Sequence, residues 1–254
     1  LVKSASYPGF VVPGQTRTFQ QFAGGAPANA AVAVAKLGGR CEFVGMLGED
    51  MFGDFLLHSL RDAGAGVRYV RRTSRANTAL AFVSLDAGGE RSFSFYRPPA
   101  ADLLFRGTDF DPACFAEAGV FHVCSNSLTD EDIAALVSLD LNLRPALWPG
   151  ATPALPVLWR ALEAADLIKL AREELDYLVR GGLDEVAVVE RLLRHARLVL
   201  VTDGAASMRW HARDGNGVLD TIRVNPVDTT AAGDAFIGGL LSQLQLAGVD
   251  AARF

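Results

Sequence analysis

Several features are scarce or missing in this chain. It has no apolar run of the roughly 18 residues that a membrane-spanning helix needs, and Leu1-Val2-Lys3-Ser4 lacks the charged-then-apolar layout of a secretory signal. A soluble, cytoplasmic protein with no membrane partner is therefore expected. Cysteine is sparse: Cys41, Cys114 and Cys124 are an odd number at wide spacing with no CxxC pair. That suits reduced core thiols rather than a disulfide framework or a zinc site. There is no block of Lys and Arg, and the net charge is -5, which argues against nucleic acid as the main partner. No glycine-rich loop ending in Gly-Lys-Ser/Thr occurs, so the chain is not a P-loop kinase. No strand followed by Gly-x-Gly-x-x-Gly supports a dinucleotide-binding dehydrogenase. What remains is a 254-residue chain, half of it hydrophobic, long enough to bury a substantial core.

The most informative segment present is Asp228-Thr229-Thr230-Ala231-Ala232-Gly233-Asp234-Ala235-Phe236. Phe236, Leu240 and Leu244 follow at helical spacing, with Ile237 and Leu241 beside them, so a buried helix starts here. A helix leaves its first N–H groups unpaired and carries partial positive charge at that end, which suits an anion. Ala231, Ala232 and Gly233 are too small to block its approach, and Asp234 adds a carboxylate in the first turn. A phosphate seat beside a base is one reading; close helix packing with a dipole-favouring Asp is the other. Upstream, Ala23-Gly24-Gly25-Ala26-Pro27-Ala28-Asn29 opens a second small-residue helix, closed by Gly38-Gly39.

Between these segments strands and helices alternate. Strands are expected at Cys41–Leu47, Val120–Cys124, Val137–Leu141, Leu167–Leu170 and Leu198–Thr202, and helices at Met51–Ala63, Pro153–Ala165, Arg172–Val179 and Leu183–His195. Such alternation implies an α/β fold, a doubly wound, mainly parallel sheet flanked by helices. Val11–Phe22 and Val67–Phe95 instead alternate as hairpin strands, with a turn at Asp86-Ala87-Gly88-Gly89, and are expected to form a small projecting sheet. Thr129-Asp130-Glu131-Asp132 resembles a helix start, yet too few residues follow before the next strand for a crossover of at least ~10–12 residues. Residues are expected to be missing near Ala135–Leu136.

With both signatures in hand, the chain resembles the ribokinase-like carbohydrate kinases, whose hallmarks are a Gly-Gly…Asn segment and a later Asp-Thr-x-(Gly/Ala)-Ala-Gly-Asp segment. Val44-Gly45-Met46-Leu47-Gly48-Glu49-Asp50 and Phe52-Gly53 match the part that follows the first hallmark. Phe93-Ser94-Phe95-Tyr96-Arg97-Pro98-Pro99-Ala100-Ala101-Asp102, and Asp140-Leu141-Asn142-Leu143-Arg144-Pro145 with Trp148, look most like the bacterial fructokinases.

The resemblance implies a three-layer sandwich comprising one domain over 1–254, with lid segments at about 6–22 and 67–99 that often make a dimer contact. It also implies a missing first strand before Leu1 and further helices after Phe254. Asp234 is implied as the base, with Ala231, Ala232 and Gly233 offering N–H groups to the phosphoryl oxygens. Gly24, Gly25, Asn29, Phe95, Arg97 and Arg144 would meet the sugar, or in the case of Arg144 the phosphate. Asn142, Lys169, Thr202, Gly204, Thr229 and Gly233 would line the nucleotide, with Ser207 standing for the last Gly of the family's nucleotide turn. Glu174 falls where a carboxylate orders magnesium-bound water, although Ala171 replaces the usual Asn or Ser three residues earlier.

Other readings stay open at these positions: a helix cap for Asn29, an exposed lid side chain for Arg97, a strand-end salt bridge for Arg144, and a solvated helix face for Glu173-Glu174. The expected activity is ATP- and Mg2+-dependent phosphorylation of a sugar hydroxymethyl, fructose first. 2-Keto-3-deoxygluconate, ribose and nucleosides remain alternatives within the fold, and a non-catalytic sugar- or nucleotide-binding regulator is an alternative from another class. A homodimer through the lid is expected.

Overall fold

The computed structural model describes residues 2–4, 19–85, 91–97, 99–116, 118–124, 136–144, 154–224, 229–249 and 254. Leu1, most of segment 6–22, the Asp86–Gly89 turn, Pro98, Thr129, Ala135, Pro145, Trp148 and Asp228 lie outside these residues. The chain divides into two compact units, Leu1–Asp111 and Pro112–Phe254.

The first unit contains β1 (Val2–Ser4), β2 (Phe19–Gln21), α1 (Ala26–Lys36), β3 (Glu42–Gly48), α2 (Met51–Asp62), β4 (Gly66–Thr73), β5 (Leu80–Leu85) and β6 (Arg91–Tyr96). β5 and β6 pair antiparallel from Leu80↔Tyr96 to Leu85↔Arg91, as the hairpin pattern requires. With β2 and β1 they make a four-stranded sheet in the order β2-β1-β5-β6. Phe82 packs edge-on against both Phe19 and Tyr96, a cross-strand aromatic cluster of the kind that stabilises exposed sheets.

One expectation needs correction. The strand beginning at Val67 was assigned to the hairpin sheet, but β4 pairs in parallel with β3, from Glu42↔Gly66 to Gly48↔Thr73. The intervening α2 supplies the crossover that a parallel pair needs, so β3-α2-β4 is a βαβ unit. Thr78, read as the start of the next strand, is used otherwise. Its N–H donates to Asp50 Oδ2 at 2.6 Å, and its hydroxyl accepts from the Gly48 N–H at 3.0 Å. Asp50 also caps α2 by accepting from the Gly53 N–H at 2.8 Å. These donors hold the Asp50 carboxyl below its usual range against the opposing effect of burial.

The second unit contains α3 (Ala113–Ala116), β7 (Val120–Cys124), β8 (Leu136–Asp140), α4 (Ala154–Glu163), β9 (Leu167–Ala171), α5 (Arg172–Val179), α6 (Glu185–Leu193), β10 (Leu198–Thr202), β11 (Met208–Ala212), β12 (Gly215–Leu219) and α7 (Ala232–Leu246). Its six-stranded sheet runs β12-β11-β10-β9-β8-β7. β7 through β10 are parallel, and β11 and β12 add antiparallel edges. The β11–β12 hairpin was not foreseen, although Asp214-Gly215 is a turn signal.

Leu139, Ile168, Leu170, Val199 and Val201 face one way and pack on Leu158 and Leu162 of α4, Leu175 and Leu178 of α5, and Val188 and Leu192 of α6. Because side chains alternate along a strand, His122, Ser138, Asp140 and Lys169 face the other way. Of the apolar residues expected on the buried side of α7, Ile237 and Leu241 are buried, together with Asp234, Gly238 and Ser242, while Phe236, Leu240 and Leu244 are part-buried.

The close approach at Gly53 is testable. A Cβ there would stand 2.2 Å from the Gly48 carbonyl oxygen, whereas a Cβ at Gly119 meets nothing within 4 Å. Gly53→Ala is expected to destabilise by about 2–3 kcal/mol and Gly119→Ala by less than about 0.5 kcal/mol, as read by urea unfolding.

Candidate functional site

A parallel sheet covered on both faces is normally apolar throughout, yet three neighbouring strands each place polar residues among apolar ones on one face. His122 is paired with Ser138 across β7 and β8, and Asp140 with Lys169 across β8 and β9. Ser138, Asp140 and Lys169 are at most 5% exposed. His122 Nδ1 lies 3.2 Å from the Ser138 hydroxyl. Lys169 Nζ donates to both oxygens of Asp140, at 3.1 and 3.3 Å. Burial pushes His122 down to about 4, aided by the Lys169 ammonium and opposed by the Asp140 carboxylate, so this ring is neutral at physiological pH.

The row leads to the carboxyl ends of the strands, where open α/β sheets bind ligands. There the first turn of α7 begins at Ala231, which has φ 62°, a left-handed conformation that costs a non-glycine residue about 1–2 kcal/mol. Gly233 lies against the ion pair: a Cβ on it would stand 3.0 Å from Lys169 Nζ and 4.0 Å from Asp140 Oδ2. Asn142, another residue with positive φ (41°), places its amide nitrogen 3.5 Å from Asp234 Oδ1, at the outer limit of a hydrogen bond. Asp234 itself is buried at 9% exposure. Two non-glycine residues in left-handed backbone at one place indicate strain held by the surrounding fold, a pattern that clusters at functional sites.

The three expected phosphoryl donors need one correction. The Ala232 N–H donates to the Thr229 carbonyl at 3.2 Å, so it serves the turn. Gly233 falls among the first-turn positions for which a helix offers no acceptor.

Glu174 is not on a solvated helix face. It is 7% exposed, accepts from the Leu143 N–H at 2.6 Å through Oε1 and from the Ala171 N–H at 2.8 Å through Oε2, and so ties the start of α5 to the segment after β8. Burial raises its carboxyl above the usual value despite these donors and the nearby Lys169. Among the described residues no group of three or more His, Cys, Asp or Glu could hold a metal ion.

Arg144 is exposed and donates only to its neighbour's carbonyl at 3.1 Å; no ion pair involves it among the described residues. Thr202 ends β10 with its hydroxyl 3.4 Å from the Leu170 carbonyl. Gly204 has φ 54° in the turn that follows, and Ser207 donates to Asp220. In the first unit, Gly25 at φ 114° is the N-cap of α1, and the Asn29 N–H makes that helix's first bond to the Gly25 carbonyl at 2.8 Å, so Asn29 lies inside the helix and is not its cap. Gly24 directly precedes the cap. Phe95 is part-buried on β6. Arg97 is only 18% exposed and binds Asp102, so it is not a free lid arginine.

The structure thus brings together Asn142, Lys169, Gly233 and Asp234, with Glu174 reaching the same segment through Leu143. His122 and Ser138 were not among the expected site residues. Their signal was a polar residue flanked by apolar neighbours in strands buried on both faces.

Residues 4–253 match the family described as pfkB family carbohydrate kinase. The chain belongs to the pfkB family of carbohydrate kinases. Fructokinase-1 of Zea mays is 42% identical over 243 residues, covering 89% of this chain and 75% of that protein. The crystal structure of a fructokinase with bound ATP from Xylella fastidiosa superposes with a TM-score of 0.89 at 50% identity, over 99% of this chain and 80% of that one. A fructokinase from Vibrio cholerae O395, solved in a fructose-, ADP- and calcium-bound form, superposes with a TM-score of 0.81 at 31% identity, over 94% and 82%. This pfkB kinase therefore has the ribokinase-like α/β fold expected of it.

The neutral His122 makes a pH prediction. Its folded-state value of about 4 lies below its ordinary 6.5, so between these values the unfolded chain binds more protons and stability falls as pH drops. The part due to His122 is on the order of 2–3 kcal/mol over that window. His122→Gln is expected to flatten the stability profile by this amount between pH 6.5 and 4.5 relative to wild type, as measured by urea unfolding at each pH.

Proposed function

We propose that this chain transfers the γ-phosphoryl group of ATP to the hydroxymethyl of D-fructose, giving fructose 6-phosphate. The observation that carries the mechanism is Asp234, a buried carboxylate in the first turn of α7 beside the left-handed Ala231. The similarity to fructokinases supports the choice of sugar.

In this reading the hydroxymethyl oxygen attacks the γ-phosphorus, its proton passes to Asp234, and ADP leaves. The transition state is loose, so positioning and charge stabilisation dominate. The N–H groups of Ala231 and Gly233 and the positive end of α7 receive the phosphoryl oxygens. Arg144 is free to swing to phosphate, and Asn142, Lys169, Thr202, Gly204 and Thr229 line the nucleotide side. Gly24, Gly25, Asn29, Phe95 and Arg97 serve the sugar. Mg2+ would come with ATP, held mainly by phosphates and waters, where it would neutralise phosphate charge, and Glu174 would order a metal-bound water.

The same reading takes 1–254 as one ribokinase-like domain with lid segments in 6–22 and in the β5–β6 part of 67–99, working in the cytoplasm as a homodimer through the lid. No described helix is long and apolar enough to cross a membrane.

ATP- and Mg2+-dependent turnover measured across fructose, ribose, 2-keto-3-deoxygluconate, glucose and nucleosides is expected to be highest on fructose. No turnover on any of them would favour the regulatory binder. Asp234→Asn is expected to lower kcat by at least ~100-fold with little change in fructose binding by calorimetry, and near-normal turnover would remove Asp234 as the base.

A further inference from the structure

The Asp140–Lys169 pair asks for an explanation that ligand contact alone does not give. An ammonium in the middle of a parallel strand costs several kcal/mol to desolvate, and an ion pair is often no more stabilising than apolar residues of the same volume. Nor does it support α7 by charge, because a cation at the positive end of a helix is repelled. Its position nevertheless fills the one space that a Gly233 side chain would occupy. Lys3, Lys36 and Lys169 are the chain's lysines, the other 21 of its 24 Lys and Arg residues being arginine. A compact ammonium fits against Gly233 where a planar guanidinium would not.

Asp140 grips Nζ with both oxygens, and two residues later Asn142 adopts positive φ and directs its amide at Asp234. One short segment therefore meets the first turn of α7 twice, through Lys169 at Gly233 and through Asn142 at Asp234.

We propose that the Asp140–Lys169 ion pair is a positioning element that fixes the first turn of α7, and with it the Asp234 carboxylate, at the end of β8. Asp140 cancels the ammonium's charge, and Lys169 acts as the stop against which Gly233 rests. The consequence for turnover rests on the kinase reading above; the consequence for the helix start does not.

The test is the charge-neutral double variant Asp140→Asn/Lys169→Met together with Lys169→Arg, which keeps the pair's charge but not its shape. Hydrogen exchange is read at the Ala232 and Ala235 amides, which donate to Thr229 and Ala231, in protein without substrate. Both variants are expected to stay folded, Lys169→Arg with a modestly lowered Tm from overpacking, while these two amides exchange roughly 10-fold faster. kcat is expected to fall roughly 10- to 100-fold at an unchanged KM for fructose. Wild-type exchange at these amides, or undiminished kcat, in either folded variant overturns the proposal. Should the double variant fail to fold, Lys169→Arg decides it. If the wild-type protein phosphorylates none of the sugars, the exchange result still decides the positioning role, and only the functional reading falls.

Discussion

A charge buried in a parallel sheet must be matched where it stands, and in this kinase the match between Lys169 and Asp140 sets the geometry of everything above it. Their strands are adjacent and in register, so backbone pairing delivers the two side chains to each other without further adjustment. One face of the same strands buries Leu139, Ile168 and Leu170 against α4, α5 and α6. That apolar face supplies the burial free energy, at about 25 cal/mol per Å2, that lets the opposite face carry polar groups. Function and stability are divided between the two faces of one sheet.

The helix N-terminus explains why the site lies where it does. Ala231 and Asn142 both hold left-handed backbone, a local cost that a well-packed scaffold sustains. In return, the start of α7 and the Asp234 carboxylate converge on Lys169 and Asn142. Neither the dipole nor Asp234 alone would make a phosphoryl-transfer site; the proposed reaction rests on their coincidence at one turn.

Much of this was legible in the sequence. The two small-residue segments, the strand-helix alternation and the family hallmarks led to the fold, and the stop at Gly38-Gly39 appears as the Gly38→Ala35 and Gly39→Val34 bonds that close α1. Other features depend on tertiary context. β4 reads as a hairpin strand, and only its partner β3 shows it to be parallel. Glu174 lies beside Glu173 as though on a solvated surface, and only the fold reveals the N–H groups of Leu143 and Ala171 that claim both its oxygens. Which of Phe236 and Ile237 lies deeper in α7 is likewise invisible in the sequence, because they are equally apolar and packing alone selects between them.

In the proposed reaction the first turn of α7 receives the phosphoryl group and Asp234 receives the sugar hydroxyl. A crystal structure of the protein with fructose, ADP, Mg2+ and aluminium fluoride would test it directly. Fluoride is expected within hydrogen-bonding reach of the Gly233 N–H group, and the fructose hydroxymethyl oxygen about 3 Å from the Asp234 carboxylate. Fluoride seated away from α7, or a sugar whose hydroxyl contacts another base, would contradict it.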